Sequence, residues 1–335
     1  MTRAVLVVGG AGYVGAHTCK ALSQAGYRPV VFDNFSTGHR DFVRWGPLVE
    51  ADIADPGAVS DAIRRHDCVA VLHFAACAYV GESVVDPAKY YGNNVVGTLA
   101  VLNGMRAVGC KALVFSSTCA VYGQPDCVPI SELTRPDPIN PYGASKLMVE
   151  RIISDFRSAY GLRAIALRYF NACGADPDGE LGELRNPETH LIPRAMMALQ
   201  GHIEDFEIFG ADFDTPDGTA IRDYIHVADL ADAHVAALSS LLSGSAGGVF
   251  NLGTGHGYSV MEVLRAIECE AGESLPSPKG PRRKGDPAVL VATASRAQAE
   301  LGFNPKLSDI ETIVRTAWGW HRRVHPRRNV MPLFR

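Results

Sequence analysis

No run of this 335-residue chain is long and apolar enough to span a membrane, and no basic block gives it a field for nucleic acid. The formal net charge is -4, from 32 Lys+Arg against 36 Asp+Glu. The late arginines Arg322, Arg323, Arg327 and Arg328 read as a solvated helix end and tail. The eight cysteines contain no C-x-x-C pair and do not cluster with histidine, so they read as reduced core thiols and suggest neither a disulfide framework nor a metal site. The first residues read as a strand, without the features of a secretory leader, which makes the cytoplasm the expected compartment. Internal repeats and low-complexity tracts are missing too. An ordinary soluble protein is left, long enough for one large α/β domain and a smaller lobe.

The run Ala4-Val-Leu-Val-Val8 reads as a buried parallel strand and leads directly into Gly9-Gly-Ala-Gly12-Tyr-Val-Gly15. Gly9 permits a tight turn, Gly12 lets backbone approach a pyrophosphate, and Gly15 lets the helix carrying Val14, Thr18 and Leu22 pack on the sheet. That helix then presents its N-terminus to the phosphates. Roughly twenty residues on, a second strand, Pro29–Asp33, ends in an acid suited to ribose hydroxyls, which favours NAD over NADP. His39 and Arg40 are the residues that could instead meet a 2′-phosphate, although they lie well past the strand end.

Further apolar runs at Leu48–Asp52, Ala70–Phe74, Ala112–Ser116 and Ala164–Tyr169 alternate with segments of helical period and predict a doubly wound parallel sheet of Rossmann type. Ligands gather beyond the carboxyl ends of such strands, where Asp52-Ile53, His73-Phe-Ala-Ala76, Ser116-Ser-Thr118 and Asn171 stand here. From Asn171 to Pro193 the chain turns rich in Gly, Pro and acids. Residues 1–171 are therefore expected to form the dinucleotide-binding domain and 172–335 mainly a smaller α/β substrate lobe, with a return to the first domain around 219–255 that includes the strand-like Gly248–Gly253.

Tyr142 and Lys146, in Pro141-Tyr-Gly-Ala-Ser-Lys146, lie four apart and so share a helix face. An unperturbed phenol titrates near ~10, and a neighbouring cation favours its ionised form, which can take a proton from an alcohol. The spacing alone is common on exposed helices and gains its meaning from the company it keeps.

With Gly9-x-x-Gly12-x-x-Gly15, Thr118, Tyr142-x-x-x-Lys146 and Arg168-Tyr-Phe-Asn171 in order, the chain resembles the extended short-chain dehydrogenase/reductase family. The stretches Val80–Ser83, Tyr90–Asn94, Asp217–His226 and Asn251–Gly255 narrow the resemblance to its NAD-dependent epimerase/dehydratase branch, and there to the UDP-glucose 4-epimerases. That likeness implies a sheet of about seven strands, a C-terminal sugar-nucleotide lobe, a tightly held NAD and a homodimer formed by the helices that start near Asn93 and Tyr142. The reaction it implies is reversible inversion at C4 of UDP-glucose and UDP-galactose. UDP-xylose and UDP-arabinose are the alternative pair, because Ala78–Ser83 also resembles the pentose enzymes.

Carried over residue by residue, the likeness places Tyr13, Val14, Asp33, Asn34, Ser36, Thr37 and Gly38 on the adenosine and pyrophosphate, with Asp52 and Ile53 at the adenine. Phe74, Ala75, Ala76, Ala78, Asn93, Lys146 and Phe170 continue the cofactor wall. Asn171, Arg222, Arg283 and Asp286 fall to the diphosphate, uridine and ribose, with Phe209 near the uracil. A guanidinium fork suits phosphate oxygens, although each arginine by itself could be a surface salt bridge. Tyr142, Thr118 and Lys146 are the implied catalytic set, with Tyr142 as base for the C4 hydroxyl and Thr118 bonded to the reacting oxygen.

There are departures from the family pattern. Ala78 stands where some epimerases carry a lysine, and His190 where some carry an asparagine; this histidine either donates to the diphosphate or is structural. Leu290 occupies the position that gates sugar size, which implies simple sugars over acetamido sugars. A 4,6-dehydratase would need an Asp-Glu pair after the threonine, whereas Cys119 and Ala120 follow Thr118. A noncatalytic protein on the same fold is disfavoured by the retained Thr118, Tyr142 and Lys146.

Overall fold

Alternation inside the apolar runs creates two layers of helix around one sheet. In a computed structural model, which describes residues 2–55, 57–283 and 286–327, Arg328 lies outside the described residues. Val5 and Val7 of the first strand join one apolar cluster, while Ala4, Leu6 and Val8 join another on the opposite face. Both faces of the strand are buried, which is why its sequence is an unbroken apolar run.

The strands are β1 (Ala4–Val8), β2 (Arg28–Asp33), β3 (Leu48–Glu50), β4 (Cys68–His73), β5 (Ala112–Ser116), β6 (Arg163–Tyr169) and β7 (Gly247–Leu252). They form one parallel seven-stranded sheet in the order β7-β6-β5-β4-β1-β2-β3. The doubly wound Rossmann-type sheet expected from the sequence is thus present. Its order reverses between β1 and β4, which opens a crevice beyond their carboxyl ends. The third strand stops at Glu50, short of the expected Asp52, because the Asp52 carboxylate closes a turn by accepting from the Ala54 N–H at 2.8 Å.

Helices α1 (Tyr13–Gln24), α2 (Ala58–His66), α3 (Gly97–Ala107), α4 (Pro141–Tyr160) and α5 (Val227–Leu242) cover the sheet. Cys19 and Leu22 of α1 and Leu230, Ala233 and Leu238 of α5 fill one face. Val59 and Ile63 of α2, Val101 and Met105 of α3, and Val149 and Ile153 of α4 fill the other. Burying one such Val, Leu or Ile contributes roughly 1.5–3 kcal/mol. After β6 the chain leaves the sheet: Asn171–Cys173 pairs with Tyr224–His226, and Ile221–Arg222 pairs with Val289–Leu290. The helices Leu191–Leu199, Val260–Ala271 and Ile310–Val324 close around Ile192, Met196, Val263, Leu264, Ile313 and Val314. Among the described residues, no helix is long and apolar enough to cross a membrane.

Candidate active site

The glycine turn after β1 shows three different reasons for the same residue type. Gly9 has φ +80°, and a Cβ there would lie 2.5 Å from the Ala75 nitrogen. A Cβ on Gly15 would lie 2.2 Å from the Gly9 carbonyl oxygen, so this glycine seats α1 on the turn. Gly12 has φ -82° and ψ 173°, and a Cβ there would meet only the Gly9 oxygen, at 3.4 Å. Nothing in the protein excludes a side chain at Gly12, whereas a group approaching from outside would. No side chain caps α1, so the N–H groups of Tyr13, Val14 and Gly15 remain available to an anion. The turn therefore fits the diphosphate of a dinucleotide.

Asp33 ends β2, and its two carboxylate oxygens accept from the Ala11 N–H at 2.9 Å and the Phe35 N–H at 2.8 Å. Burial pushes its pKa up while these backbone donors hold it down, and the remaining lone pairs suit ribose hydroxyls. Gly38 keeps this carboxylate in place, since a Cβ there would stand 2.9 Å from Asp33 Oδ1. Ser36 and Thr37 are exposed beside it, and the Asn34 amide spans to Asp52 at 2.8 Å, with Ile53 buried next in sequence. The two residues weighed for a 2′-phosphate are engaged elsewhere. Arg40 pairs with Glu50 and lies 4.2 Å over the Phe35 ring, and His39 Nε2 meets the Leu184 carbonyl at 2.8 Å.

Two of the expected cofactor residues, Tyr13 and Phe170, are buried. The Tyr13 hydroxyl is buried and donates to the Gly174 carbonyl at 2.6 Å, so Tyr13 can serve a phosphate only through its backbone N–H. Phe170 is buried in a cluster with Val121, Tyr122, Ile130 and Ala292, and Leu290 packs against the same cluster. Along the other cofactor wall, Phe74, Ala75, Ala76 and Ala78 are half-buried. Asn93 donates to Asn94 Oδ1 at 3.0 Å. Asn94, missed by sequence reasoning, is the lock of this wall. Its oxygen accepts from Cys77 N–H at 2.8 Å, and its amide donates to the Cys77 carbonyl and Ser145 Oγ, both at 3.0 Å. The pair Asn93-Asn94 is visible in the sequence, but which member turns inward is decided by packing.

Thr118 and Tyr142 meet because α4 begins against the turn that follows β5. Asn140 caps the helix by accepting from the Gly143 N–H at 2.8 Å, and a Cβ on Gly143 would lie 2.4 Å from the Ala120 oxygen. Burial pushes the Tyr142 phenol well above its ordinary value, and Tyr169 and Cys119 add to the rise. Thr118 and Arg185 act in the opposite direction. Lys146 is buried, which lowers its pKa to about 8, and its ammonium donates to the Ser116 carbonyl at 2.9 Å. Beneath them, Glu150 receives Arg168 Nε at 2.9 Å, and Arg168 Nη1 donates to the Tyr122 hydroxyl at 2.8 Å. That hydroxyl donates to Asn251 Oδ1 at 2.7 Å. Glu150 extends the Tyr142-Lys146 face by another turn, a signal the sequence did contain.

The carboxyl ends of β5 and β6 face a second group of residues. Arg222 pairs with Asp286, and Arg283 lies 3.9 Å over the Phe209 ring, an aromatic and cationic set suited to a nucleotide base and phosphates. Backbone pairing sets Leu290 opposite Arg222. Asn171 is exposed, and its N–H donates to the Asp223 carbonyl at 3.0 Å. The Asp223 carboxylate, also missed, fastens this corner by accepting from Thr254 N–H at 2.8 Å, Gly255 N–H at 3.1 Å and Ala292 N–H at 3.2 Å. His190 Nδ1 stands 2.6 Å from Glu183 Oε1; desolvation lowers the imidazole's pKa, and this carboxylate raises it overall.

A Rossmann sheet with a phosphate-fitting glycine turn and the Thr118, Tyr142 and Lys146 set defines an enzyme of the short-chain dehydrogenase/reductase class. Residues 5–253 match the NAD dependent epimerase/dehydratase family, and the chain belongs to that family. It is 52% identical over 319 residues to a UDP-glucose 4-epimerase of Rhizobium leguminosarum bv. trifolii, covering 95% of this chain and 97% of that one. The crystal structure of a UDP-glucose 4-epimerase from Brucella ovis in complex with NAD is similar with TM-score 0.93 and 53% identity, over 95% of this chain and 98% of that one. A Bifidobacterium longum UDP-glucose 4-epimerase in complex with NAD+ and UDP superposes with TM-score 0.91 at 38% identity, over 96% and 98% of the two chains.

Proposed function

We propose that this protein interconverts UDP-glucose and UDP-galactose by inversion at C4. The observation that carries the reading is that Lys146 donates to the Ser116 carbonyl at the carboxyl end of β5 while Thr118, two residues on, hydrogen-bonds Tyr142 one helical turn before Lys146. A C–H beside an alcohol is too weak an acid for direct deprotonation, so inversion runs through oxidation. When bound, NAD supplies a reversible hydride acceptor. Tyr142 as phenolate takes the C4 hydroxyl proton, and Thr118 hydrogen-bonds the reacting oxygen. The 4-keto sugar, still tethered by its UDP to Asn171, Arg222, Arg283 and Asp286, turns its other face inward. Hydride and proton return there, so no cofactor is consumed. His190 stands at the start of a helix beside this tether, and Leu290 limits the space beside the sugar.

The reading includes a homodimer and a cytoplasmic location. Exposed Val96 and Leu99 beside and on α3 and exposed Met148 on α4 offer an apolar face for a second copy, which light scattering would detect as twice the chain mass. The decisive assay compares kcat/KM for UDP-galactose, UDP-xylose and UDP-N-acetylgalactosamine. Turnover of UDP-galactose that vanishes in Tyr142→Phe, with NAD still bound, is the expected result. Failure to invert any UDP-hexose would refute the reading, and a strong preference for the pentose would reassign the substrate.

A further inference from the structure

The turn that carries Thr118 is fastened at both ends to one buried ion pair. It leaves β5 at Ser116, passes through Ser117 and Thr118, and coils once through Cys119–Tyr122. At the near end the Ser117 hydroxyl donates to Glu150 Oε1 at 2.5 Å, and the Ser117 N–H donates to the Leu167 carbonyl at 2.9 Å. At the far end the Tyr122 hydroxyl accepts from Arg168 Nη1 at 2.8 Å, and the guanidinium carbon stands 4.9 Å from the centre of the Tyr122 ring. Glu150 and Arg168 are themselves joined twice, from Nε to Oε1 at 2.9 Å and from Nη2 to Oε2 at 2.5 Å. All four residues are buried. A two-bonded guanidinium-carboxylate fork has a fixed geometry, and out of water neither charge can leave its partner cheaply. The frame reaches β7 as well, because the Tyr122 hydroxyl donates to Asn251 Oδ1 at 2.7 Å.

Resting on the epimerase reading, we propose that Ser117 and Tyr122 are positioning residues for the reaction, through which the Glu150–Arg168 pair holds the Thr118 hydroxyl against Tyr142 and the reacting oxygen. The Thr118 side chain has only local bonds of its own among the described residues: it accepts from the Ala120 N–H at 3.1 Å, inside the same turn, and meets the phenol. Its place is therefore set by the residues on either side of it. Helix α4 supplies both halves of the contact, since it bears Tyr142 near its start and, about two turns later, the carboxylate that holds the opposing turn. A movement of α4 on the sheet then carries phenol and threonine together, and their separation is kept.

The test is a double-mutant cycle in the NAD-bound enzyme, read by kcat and KM for UDP-galactose and by crystal structures of the variants with NAD. Ser117→Ala and Tyr122→Phe each free one end of the turn while Glu150 and Arg168 stay bonded to each other, and either is informative if the other folds poorly. Each should lower kcat by about tenfold, as a slight misplacement of a group on the reacting atoms does, with KM and NAD affinity unchanged. In a Thr118→Val background neither should cause a further loss, because both act through the hydroxyl already removed. Unchanged kcat in both variants, a rise in KM alone, or the same loss with and without the Thr118 hydroxyl overturns the proposal. The crystal structures should show Thr118 withdrawn from hydrogen-bond reach of Tyr142, and an unmoved Thr118 overturns it as well. That readout needs no turnover: a parent enzyme that inverts no UDP-hexose would sink the epimerase reading, while the structures still decide what places Thr118.

Discussion

Replacing Gly12 with alanine separates what the fold needs from what the cofactor needs. The φ of -82° and ψ of 173° at Gly12 are open to any L-residue, and the added Cβ would meet nothing closer than the Gly9 oxygen at 3.4 Å. Stability of the cofactor-free protein should therefore change by no more than about 0.5 kcal/mol, with a small gain from the stiffer unfolded chain. The same methyl group would stand in the approach of a diphosphate to the first turn of α1. Losing one charge-assisted hydrogen bond there costs about 1.5–3 kcal/mol, which corresponds to a loss in NAD affinity of about tenfold to a hundredfold. Gly15→Ala is the contrasting variant. Its Cβ would sit 2.2 Å from the Gly9 oxygen, so overpacking of about 1–3 kcal/mol should appear in the fold itself. Urea unfolding of the cofactor-free proteins and fluorescence titration with NAD read the two effects independently. A Gly12→Ala protein that binds NAD as tightly as the parent would show that the diphosphate does not lie against this turn.

Further predictions rest on other parts of the structure. Arg168→Met should destabilise the fold by about 3–5 kcal/mol, because it leaves the buried Glu150 carboxylate without its cation; a shift in the urea midpoint worth under 1 kcal/mol would contradict this. Burial lowers His17, His226, His234 and His321 to about 4 and His73 to about 3, below their unfolded value. Their contribution is thus fully present above about pH 6.5 and is lost as the pH falls toward 4, at about 2 kcal/mol each by pH 5; a melting temperature that stays flat from pH 6.5 to 5 would count against it. Leu290→Ala should raise kcat/KM for UDP-N-acetylgalactosamine relative to UDP-galactose by about tenfold or more, and an unchanged ratio would remove Leu290 as the gate.

Legibility followed the range of the interaction. The glycine turn, β2 ending in Asp33 and the Tyr142-Lys146 face were readable because each is set by neighbours within a few residues or one helical turn. Alternation and apolar runs located all seven strands, but not the end of β3, where a side-chain turn at Asp52 decides. The places of Tyr13 and Arg185 were hidden. A tyrosine just after a phosphate-binding glycine looks like a ligand residue, yet its hydroxyl is taken by Gly174, 161 positions away. Arg185 gives no local signal at all, because its place is fixed by Glu183, and Glu183 by Trp320 from the far end of the chain.

The same long-range packing explains why the phenol needs more than its own helix. Burial drives the two groups of Tyr142-x-x-x-Lys146 in opposite directions on the pH scale, the phenol upward and the ammonium down to about 8. Both shifts favour the neutral forms, so dehydrating the pocket works against the phenolate that the proposed proton abstraction needs. A base effective near neutral pH must have this opposed by fixed charge or hydrogen bonds. Lys146 donates one of its hydrogen bonds to the Ser116 carbonyl, and Thr118 offers one neutral hydroxyl. On the proposed mechanism the rest must come from outside this helix, so the acidity of Tyr142 is a property of the assembled crevice and not of the Tyr142-x-x-x-Lys146 motif alone.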